Sequence, residues 1–590
     1  MTRWLRLGLA GLALMVAPFS EAAAQAAEVG PAADPVAEQT PTPATSGEAG
    51  TAPSAIDAVQ PARVPDGVLS IPGAKTFIQD DLAPGAVIVG EGQPMGIEEA
   101  VAMSIQNGLG VEVERFGPLI AEANADASWG SYDPTVSGDY LYDVAKALNV
   151  SPFNSAPLNR DRTHGGSVGV NQMIPYLGAS LDARFSSNSF ATRSSFAQYE
   201  QQYNTSFFLS ATVPLLRNLV WNQNWTNVKL TGFQSDAASQ QFLRALMDTV
   251  QATVNSYCGL VAARDRVRVA QKSLETARAL LDQTRTQYEV GVVSQVEVVE
   301  AEAGVANREF DLIRNANEYR NAQDVLIDAV LGAELKPATE LQIVPTAALT
   351  AHGIKSIDVE GDVAQAFENR PELKIAQSVI EQGEVSLKFA KSQRLPQLDV
   401  VGRYGYVGIG GRPNTNFSFP GNPPAQSTAP RRDYGNSMDG FFQGNAADNY
   451  RVQGLFSVPI PNTRGRELVS RSEFDLRRSQ SSRIRLEQQI ILEVRAASRT
   501  LLAAAQGIEA AERRRLAAEE QLRAERIRLE HGESTPFEVL QREEDLVEAE
   551  SQKINALQTF HAAETALERA RGSILEAHAI DVDAARRPVR

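Results

Sequence analysis

The residue spacing that most resembles a catalytic motif lies at residues 165–169, where Gly165, Ser167 and Gly169 match the pattern Gly-x-Ser-x-Gly. In serine hydrolases this pattern places a nucleophilic serine on a sharp turn between a strand and a helix, so Ser167 would be the nucleophile of an acyl transfer. No helical pattern follows these residues, and apolar and polar side chains alternate instead. We therefore expect Ser167 to lie in a strand and predict no catalytic residue.

No other set of residues has the spacing of a reactive site. The chain has five scattered histidines without metal-ligand spacing, namely His164, His352, His531, His561 and His578. A Walker-type phosphate loop is missing from the sequence, so energy for any transport would have to come from a partner. The sequence predicts no metal and no cofactor. The 56 basic and 72 acidic residues give a net charge of −16, which argues against nucleic acid as a partner.

The first residues predict export from the cytoplasm. Arg3 and Arg6 precede an apolar run and then small residues, the pattern of a signal peptide, which we place at residues 1–26. Residues 27–90 are rich in proline and alanine and predict a flexible tail. No later segment has the roughly 18 consecutive apolar residues of a transmembrane helix, so strands would have to make any membrane crossing. The single cysteine, Cys258, is predicted to be a small buried residue.

The remainder of the chain contains one pattern twice. Each copy has a helical segment that ends at a proline, an alternating strand, a second strand that ends in Val-Pro, and a very long helical segment that reverses at a glycine. The copies are predicted at residues 91–332 and 362–574, with a linker at 333–361 and a C-terminal tail at 575–590. The strands are predicted at about residues 135–142, 205–214, 397–407 and 449–459.

Four prolines mark the predicted junctions between strand and helix, namely Pro134, Pro214, Pro396 and Pro459. Each strand has about ten residues, the length of a tilted strand that crosses a bilayer. An ordinary antiparallel sheet with one wet face would show the same alternation. A membrane sheet is favoured because four strands beside such long helices cannot form a sandwich core, and because the loop at 411–448 is long and polar.

Residues 221–332 and 464–574 predict two long helical hairpins. The first helix of each hairpin has about 65 residues and almost no proline, which corresponds to a length on the order of 100 Å. Gly291 and Gly532 would supply the left-handed caps at which the chain reverses. Apolar residues at spacings of three and four predict a coiled-coil seam on the first long helix, formed by Leu243, Leu246, Val250, Val254, Tyr257 and Val261.

The sequences around the two reversals resemble a known family. Residues 285–294 read Arg-Thr-Gln-Tyr-Glu-Val-Gly-Val-Val-Ser and residues 526–535 read Arg-Ile-Arg-Leu-Glu-His-Gly-Glu-Ser-Thr; an acidic residue, a valine and an aliphatic residue follow each. With the proline-flanked strands, they make residues 96–572 similar to the TolC-type outer membrane efflux and secretion channels. This resemblance implies an α+β membrane protein whose duplicated strand and long-helix repeat forms a trimeric 12-stranded β-barrel, continuous with a periplasmic α-helical coiled-coil barrel.

The resemblance also implies a location and partners. A homotrimer would lie in outer membrane lipid of a Gram-negative-type envelope, with a large periplasmic portion. Its helical tips would dock a periplasmic adaptor (membrane fusion) protein, which attaches the channel to an inner-membrane pump or ABC transporter. The implied docking residues are Val290, Gly291, Val292, Val293, Ser294, His531, Gly532, Glu533, Ser534 and Thr535.

One acidic residue beside the second tip is implied as a gate residue. Three copies of Glu538 would form a carboxylate ring at the periplasmic entrance, which attracts cations. The alternative is a solvated glutamate that the helix dipole favours. Gln541 replaces the second acidic residue of the family pattern, so a double ring is not implied. Ser534 stands where some relatives have a basic gate residue.

Residues 167–171 and 177–185 alternate around Pro175 and predict an additional hairpin. We interpret it as an extracellular extension, with additional barrel strands as the alternative. The predicted function is that of a passive outer membrane channel in a tripartite export system for drugs or other small molecules. Type I protein secretion and a structural periplasmic coiled-coil scaffold are the alternatives, because no residue identifies the cargo.

Overall fold

The computed structural model describes residues 92–148, 158–194, 196–332, 335–336, 341–350, 357–418, 427–432, 435, 437 and 447–586. All of them belong to one compact unit, residues 76–590. The predicted signal peptide and N-terminal tail lie outside the described residues.

The helices of the described residues are α1 (Ile97–Asn107), α2 (Leu109–Trp129), α3 (Gln223–Glu289), α4 (Gln295–Leu331), α5 (Val359–Asn369), α6 (Pro371–Arg394), α7 (Thr463–Glu530), α8 (Pro536–Arg571), α9 (Ile574–Ala577) and α10 (Val582–Ala585). The strands are β1 (Gln93–Met95), β2 (Thr135–Leu148), β3 (Leu158–Met173), β4 (Ser180–Ala191), β5 (Tyr199–Pro214), β6 (Ile343–Pro345), β7 (Gln397–Pro413) and β8 (Ala447–Ser457). Among the described helices, none combines the length and the apolarity that a membrane crossing requires.

Six of the strands form one antiparallel sheet in the order β2-β3-β4-β5-β7-β8. Four of them adjoin helices in the chain, since β2 follows α2, β5 precedes α3, β7 follows α6 and β8 precedes α7. Pro214 pairs with Asp399 and Gln397 pairs with Ser457, so these strand ends lie together at one end of the sheet. We call this the helical end of the sheet.

The additional hairpin predicted from the sequence is part of this sheet. β3 pairs with all 14 residues of β2, and all 12 residues of β4 pair with β5. The described residues therefore place six strands in the sheet where the sequence predicted four. The sequence pattern showed only the halves of β3 and β4 nearest the helical end, because the outer half of β3 has polar side chains on both faces, such as Arg162 and Thr163.

Each long helix packs against two helices of its own repeat in succession. The part of α3 nearest the sheet packs on α2, where Thr231 Oγ1 donates a hydrogen bond of 3.1 Å to Ser128 Oγ. The distal part packs on α4, where Arg285 pairs with Glu302 at 2.8 Å. α7 packs in the same way on α6 and then on α8. The two repeats thus build the same helical arrangement.

The predicted seam of α3 is buried. Leu246, Val250 and Val261 are 0% exposed, and Tyr257 is 1% exposed. The hydroxyl of Tyr257 donates a 2.9 Å hydrogen bond to the carbonyl oxygen of Met95 in β1. β1 pairs with β6 in a small parallel ribbon, so the middle of α3 is attached to the segment that links the two repeats.

The helical segment before the first sheet strand of each repeat is broken, although the sequence pattern predicted one helix in each copy. The first break lies at Gly108, whose extended backbone separates α1 from α2. A Cβ at this residue would lie 2.3 Å from the carbonyl oxygen of Ser104. The second break lies at Arg370, because the next residue, Pro371, begins a new helix and has no N–H to continue the old one.

An ion network joins α3, α6, α7 and α8 near the second break. Arg569 lies 2.8 Å from Asp248 and 2.9 Å from Glu372, while Arg370 lies 3.2 Å from Glu372 and 2.7 Å from Glu493. Burial by itself raises the pKa of Glu372. The hydrogen bonds from Arg370 and the charges of Arg370 and Arg569 together outweigh burial and hold that pKa at about 2.

We expect Glu372→Gln to lower the stability of the protein at pH 7 by on the order of 1–3 kcal/mol, because two buried arginines lose part of their charge compensation. The folded-state pKa of Glu372 lies below its ordinary value of 4.5. The ionised carboxylate therefore stabilises the fold above about pH 4.5, and this contribution is lost as the pH falls toward 2. Thermal unfolding of the detergent-purified protein should give a lower midpoint for the variant at pH 7, and a smaller difference at pH 3.

The matched control is Glu520→Gln, which removes a glutamate whose side chain is 65% exposed and lies 2.9 Å from Arg523. Exposed ion pairs contribute little, so its unfolding midpoint should equal that of the wild type. Equal losses for the two variants at pH 7 would contradict a special role for the network.

Candidate functional site

The turns between the paired long helices have the same backbone geometry in both repeats. In the first tip, the N–H of Gly291 donates to the carbonyl oxygen of Tyr288 at 2.9 Å, and the N–H of Val292 donates to that of Gln287 at 2.9 Å. In the second tip, Gly532 and Glu533 donate to the residues at the equivalent positions, at 3.0 and 2.9 Å. These are the two hydrogen bonds of a Schellman motif. Both glycines have a left-handed φ, +78° and +77°.

The next helix begins at once after each turn because a side chain caps it. Ser294 and Glu297 form a capping box at the start of α4. Thr535 Oγ1 accepts from the N–H of Glu538 at 3.4 Å at the start of α8, where Pro536 occupies the first turn. The sequence predicted tip turns at residues 290–294 and 531–535, and these residues lie between the helices in both hairpins.

The tips expose apolar side chains to solvent. Val290 and Val292 are both 71% exposed, and Phe537 is 51% exposed. Neighbouring exposed apolar residues on a soluble surface are typical of a binding site for another protein. Polar groups surround them: His531 Nδ1 lies 2.7 Å from the carbonyl oxygen of Ile527.

The predicted gate residues lie on the exposed side of α8. Glu538 and Gln541 are both exposed and are three residues apart, which places them on one face of the helix. Val539 and Leu540 point into a cluster with Ala277 of α3 and Leu522 of α7 instead. Glu538 therefore presents its carboxylate outside the protomer, as a ring of three copies would require. Ser534, the other position discussed above, donates a 2.5 Å hydrogen bond to Glu525.

An acidic residue that was not predicted from the sequence lies behind this face. Glu543 is 4% exposed, and its Oε2 atom has no hydrogen-bond partner among the described residues. Burial raises the pKa of Glu543, although the charges of Arg526 and Arg308 oppose this effect. Glutamates are common at solvated positions of long helices, so nothing in the sequence distinguishes Glu543 from its exposed neighbours.

The proline residues lie where strands and helices meet. Pro134 and Pro396 directly precede β2 and β7, Pro214 is the last residue of β5, and Pro459 follows β8 by two residues. All four are at the helical end of the sheet.

Ser167 has no nucleophile-elbow geometry. It lies inside β3, and the next element after that strand is β4. Its hydroxyl donates to a carboxylate oxygen of Asp139 and accepts from Arg184 Nη1 at 2.9 Å. Within the described residues, no group of three or more His, Cys, Asp or Glu residues could hold a metal ion.

The sheet has two faces of different polarity, and the strand register aligns them across all six strands. The apolar face carries Val136, Tyr140, Val168, Val170, Leu181, Phe185, Phe207, Leu209, Val400, Tyr404, Val452 and Phe456. The polar face carries Ser137, Asp139, Ser167, Asn171, Asp182, Arg184, Ser206, Ser210, Asp399, Arg403, Arg451 and Gln453. Its apolar exceptions are Leu141, Met173, Phe190, Phe208, Val401, Val407, Ile409 and Leu455. Much of the apolar face is exposed, up to 82% at Tyr450.

A family model described as "Outer membrane efflux protein" matches residues 167–332 and 363–573, which is more than half of the chain. The matched ranges contain both long helical hairpins. No curated protein matches the chain by sequence.

Solved structures share the fold at low sequence identity. The CmeC outer membrane channel of Campylobacter jejuni is 13% identical with a TM-score of 0.58, and the alignment covers 84% of this chain and 90% of that chain. The open state of the MtrE outer membrane channel of Neisseria gonorrhoeae is 14% identical with a TM-score of 0.55, over 81% of this chain and 89% of that chain. CusC is 13% identical with a TM-score of 0.57, over 81% and 92%.

We expect Gly532→Ala to destabilise the second tip by about 1–2 kcal/mol, because a Cβ disfavours the left-handed backbone. No atom lies within 4 Å of that Cβ, so the cost is conformational rather than steric. Hydrogen exchange of the amides in 527–535 should become roughly 5- to 30-fold faster. Gly507→Ala, in the interior of α7 with equal space, is the control and should slow local exchange. Unchanged exchange at the tip in Gly532→Ala would contradict the assigned role of this glycine.

Proposed function

The chain belongs to the outer membrane efflux protein family, and from this premise we propose that it is the outer membrane channel of a tripartite export system. It passively conducts drugs or other small molecules from an inner-membrane pump and a periplasmic adaptor to the outside of the cell. Family membership confirms the resemblance to TolC-type channels predicted from the sequence. The channel performs no reaction of its own, because conduction needs a shaped and charged lumen but no nucleophile or metal.

The observation that carries this proposal is the combination of a two-faced sheet with long helical hairpins. The apolar face presents exposed valine, leucine, phenylalanine and tyrosine residues to the surroundings, as the lipid-facing side of an outer membrane barrel does. The polar face suits a water-filled lumen. In a periplasmic scaffold, an exposed apolar face of the sheet would lie in water, which is unfavourable.

Three copies of the chain assemble into the channel. Within the described residues, β2 and β8 each pair on one side only, so each protomer has two open edges. Unpaired backbone groups are too costly in lipid, and closing the sheet into a barrel removes both edges. β2 and β8 run in opposite directions, so β8 of one copy can pair with β2 of the next in the antiparallel arrangement that continues the sheet.

The tips dock the adaptor. Val290 and Val292 supply exposed apolar surface in the first tip, and Phe537 supplies it beside the second. The Schellman turn holds Val290 and Val292 in a defined backbone geometry, and Phe537 lies in the first turn of α8, so the adaptor need not order these segments when it binds.

Three copies of Glu538 line the periplasmic entrance and favour cations there. The exposed position of Glu538 on α8 supports this role. Gln541 adds a neutral polar group one turn further along, so the ring is single.

We expect Glu538→Gln to lower the cation preference of single channels in planar bilayers by roughly twofold or more, because a ring of like charges at an entrance sets the local ion concentration. The measurement is the reversal potential of the detergent-purified trimer in a salt gradient. The matched control is Glu297→Gln, the same exchange at the equivalent position of the first hairpin, where glutamine preserves the capping box.

A pore whose selectivity ignores Glu538→Gln but responds to Glu297→Gln would move the ring to the first hairpin. A pore indifferent to both exchanges would retain the channel and remove the ring. A protein that is extracted without detergent, forms no trimer and has no conductance would contradict the channel itself.

A further inference from the structure

The β3–β4 hairpin runs the full length of the sheet and turns at its helical end. The turn at residues 174–179 is closed by a 2.8 Å hydrogen bond from the N–H of Ile174 to the carbonyl oxygen of Ala179. An extension outside the membrane would instead turn at the opposite end. β3 has 16 residues, as many as β5, and all 12 residues of β4 pair on both sides.

The turn is packed against the start of α3. The rings of Tyr176 and Trp225 lie 4.5 Å apart, and Asn224 Nδ2 lies 2.8 Å from Met173 Sδ. Gly178 approaches the chain before α3 so closely that a Cβ there would lie 2.2 Å from the carbonyl oxygen of Asn218. These contacts fix the hairpin at the junction of sheet and helices.

The hairpin also follows the two faces of the other strands. Val168 and Val170 of β3, and Leu181 and Phe185 of β4, lie on the apolar face beside Leu209 of β5. In β3, β4 and β5 this apolar belt ends at the same distance from the helical end of the sheet. Above it, Ser187 of β4 and Thr205 of β5 are 3.1 Å apart and buried, with Ser437 bonded to Thr205.

The opposite side of the hairpin is polar. Arg184 of β4 lies 2.9 Å from Ser167 of β3 and 3.4 Å from Asp139 of β2. Asp182 and Ser186 of β4 lie on the same face. Strands of an extension outside the membrane would not need an apolar side and a polar side that continue those of the membrane strands.

We propose that β3 and β4 cross the membrane as part of the channel wall, so that each protomer supplies six strands and the trimer closes a barrel of eighteen rather than twelve. This inference rests on the proposed trimeric channel. The strand directions fit, because six alternating strands per copy leave β8 antiparallel to β2 of the next copy. β2 and β5 are separated by three strand spacings, roughly 14 Å, and do not pair with each other.

The consequence is a wider exit with a different inner surface. Barrel diameter grows about linearly with strand number, so an eighteen-stranded barrel has about one and a half times the diameter of a twelve-stranded one. The hairpin adds Ser167, Asp182 and Arg184 to the lumen wall of every protomer. The helical part is unchanged, because neither β3 nor β4 adjoins a helix in the chain.

Single cysteines in a Cys258→Ala background test the proposal in intact cells with a membrane-impermeant maleimide. The inward positions are Gly169→Cys and Asp182→Cys; the outward ones are Val170→Cys and Ala183→Cys. We expect labelling at least about tenfold faster at the inward positions, because the hydrocarbon layer excludes a charged reagent. The controls, Ser210→Cys and Leu209→Cys in β5, should show the same difference. Each variant is first checked for wild-type trimer formation in outer membrane fractions.

Alternation in β5 together with equal, fast labelling at all four hairpin positions would overturn the eighteen-stranded wall and leave the channel intact. Loss of alternation in β5 as well, or a protein missing from the outer membrane, would overturn the proposed function and this inference with it. Alternation in all three strands supports both.

Discussion

The need to pair every backbone group at the edges of one sheet is the constraint on which the rest of this structure depends. A single copy has a two-faced sheet whose outer strands, β2 and β8, are each paired on one side in the described residues. Such a sheet is stable neither in water, where its apolar face is exposed, nor in lipid, where its edges are unpaired. Association of copies edge to edge resolves both problems at once. The trimer, the membrane location and the lumen that we propose all follow from this condition.

The helices inherit their arrangement from the sheet. Four strand ends lie together at the helical end, and each adjoins a helix in the chain. The helices therefore start side by side, and the two long ones are accompanied by shorter helices along their whole length. The shorter helices are interrupted at Gly108 and Arg370, and the network around Glu372 and Arg569 holds the second of these breaks together. At this level the charge network lies beside a cluster of buried apolar residues that includes Leu373, Ile490 and Val494, so apolar packing and charge pairing act together there.

The two repeats were predictable because their signals are local. Proline ends a helix wherever it stands, glycine permits a left-handed cap, and an apolar seam at spacings of three and four remains visible over many turns. Thus Pro396, Gly291 and the seam through Val250 lie in the structure as their residue types require. The strand hairpin was only half visible, because alternation identifies a strand without identifying its neighbours. Residues 167–171 could equally have belonged to a sheet or to an outer loop, and only the register with β2 decided between them.

By itself, the sequence determined the family, the duplicated order of strands and long helices, and the positions of the tip turns, because each depends on residues close together in the chain. Tertiary structure alone decided the number of strands in the sheet and the burial of Glu543, because both depend on residues far apart in sequence. It also decided the chemistry of Ser167, whose flanking sequence resembles a nucleophile motif. In the folded protein its hydroxyl is hydrogen-bonded between Asp139 and Arg184 from neighbouring strands, and these partners come together only when the sheet forms.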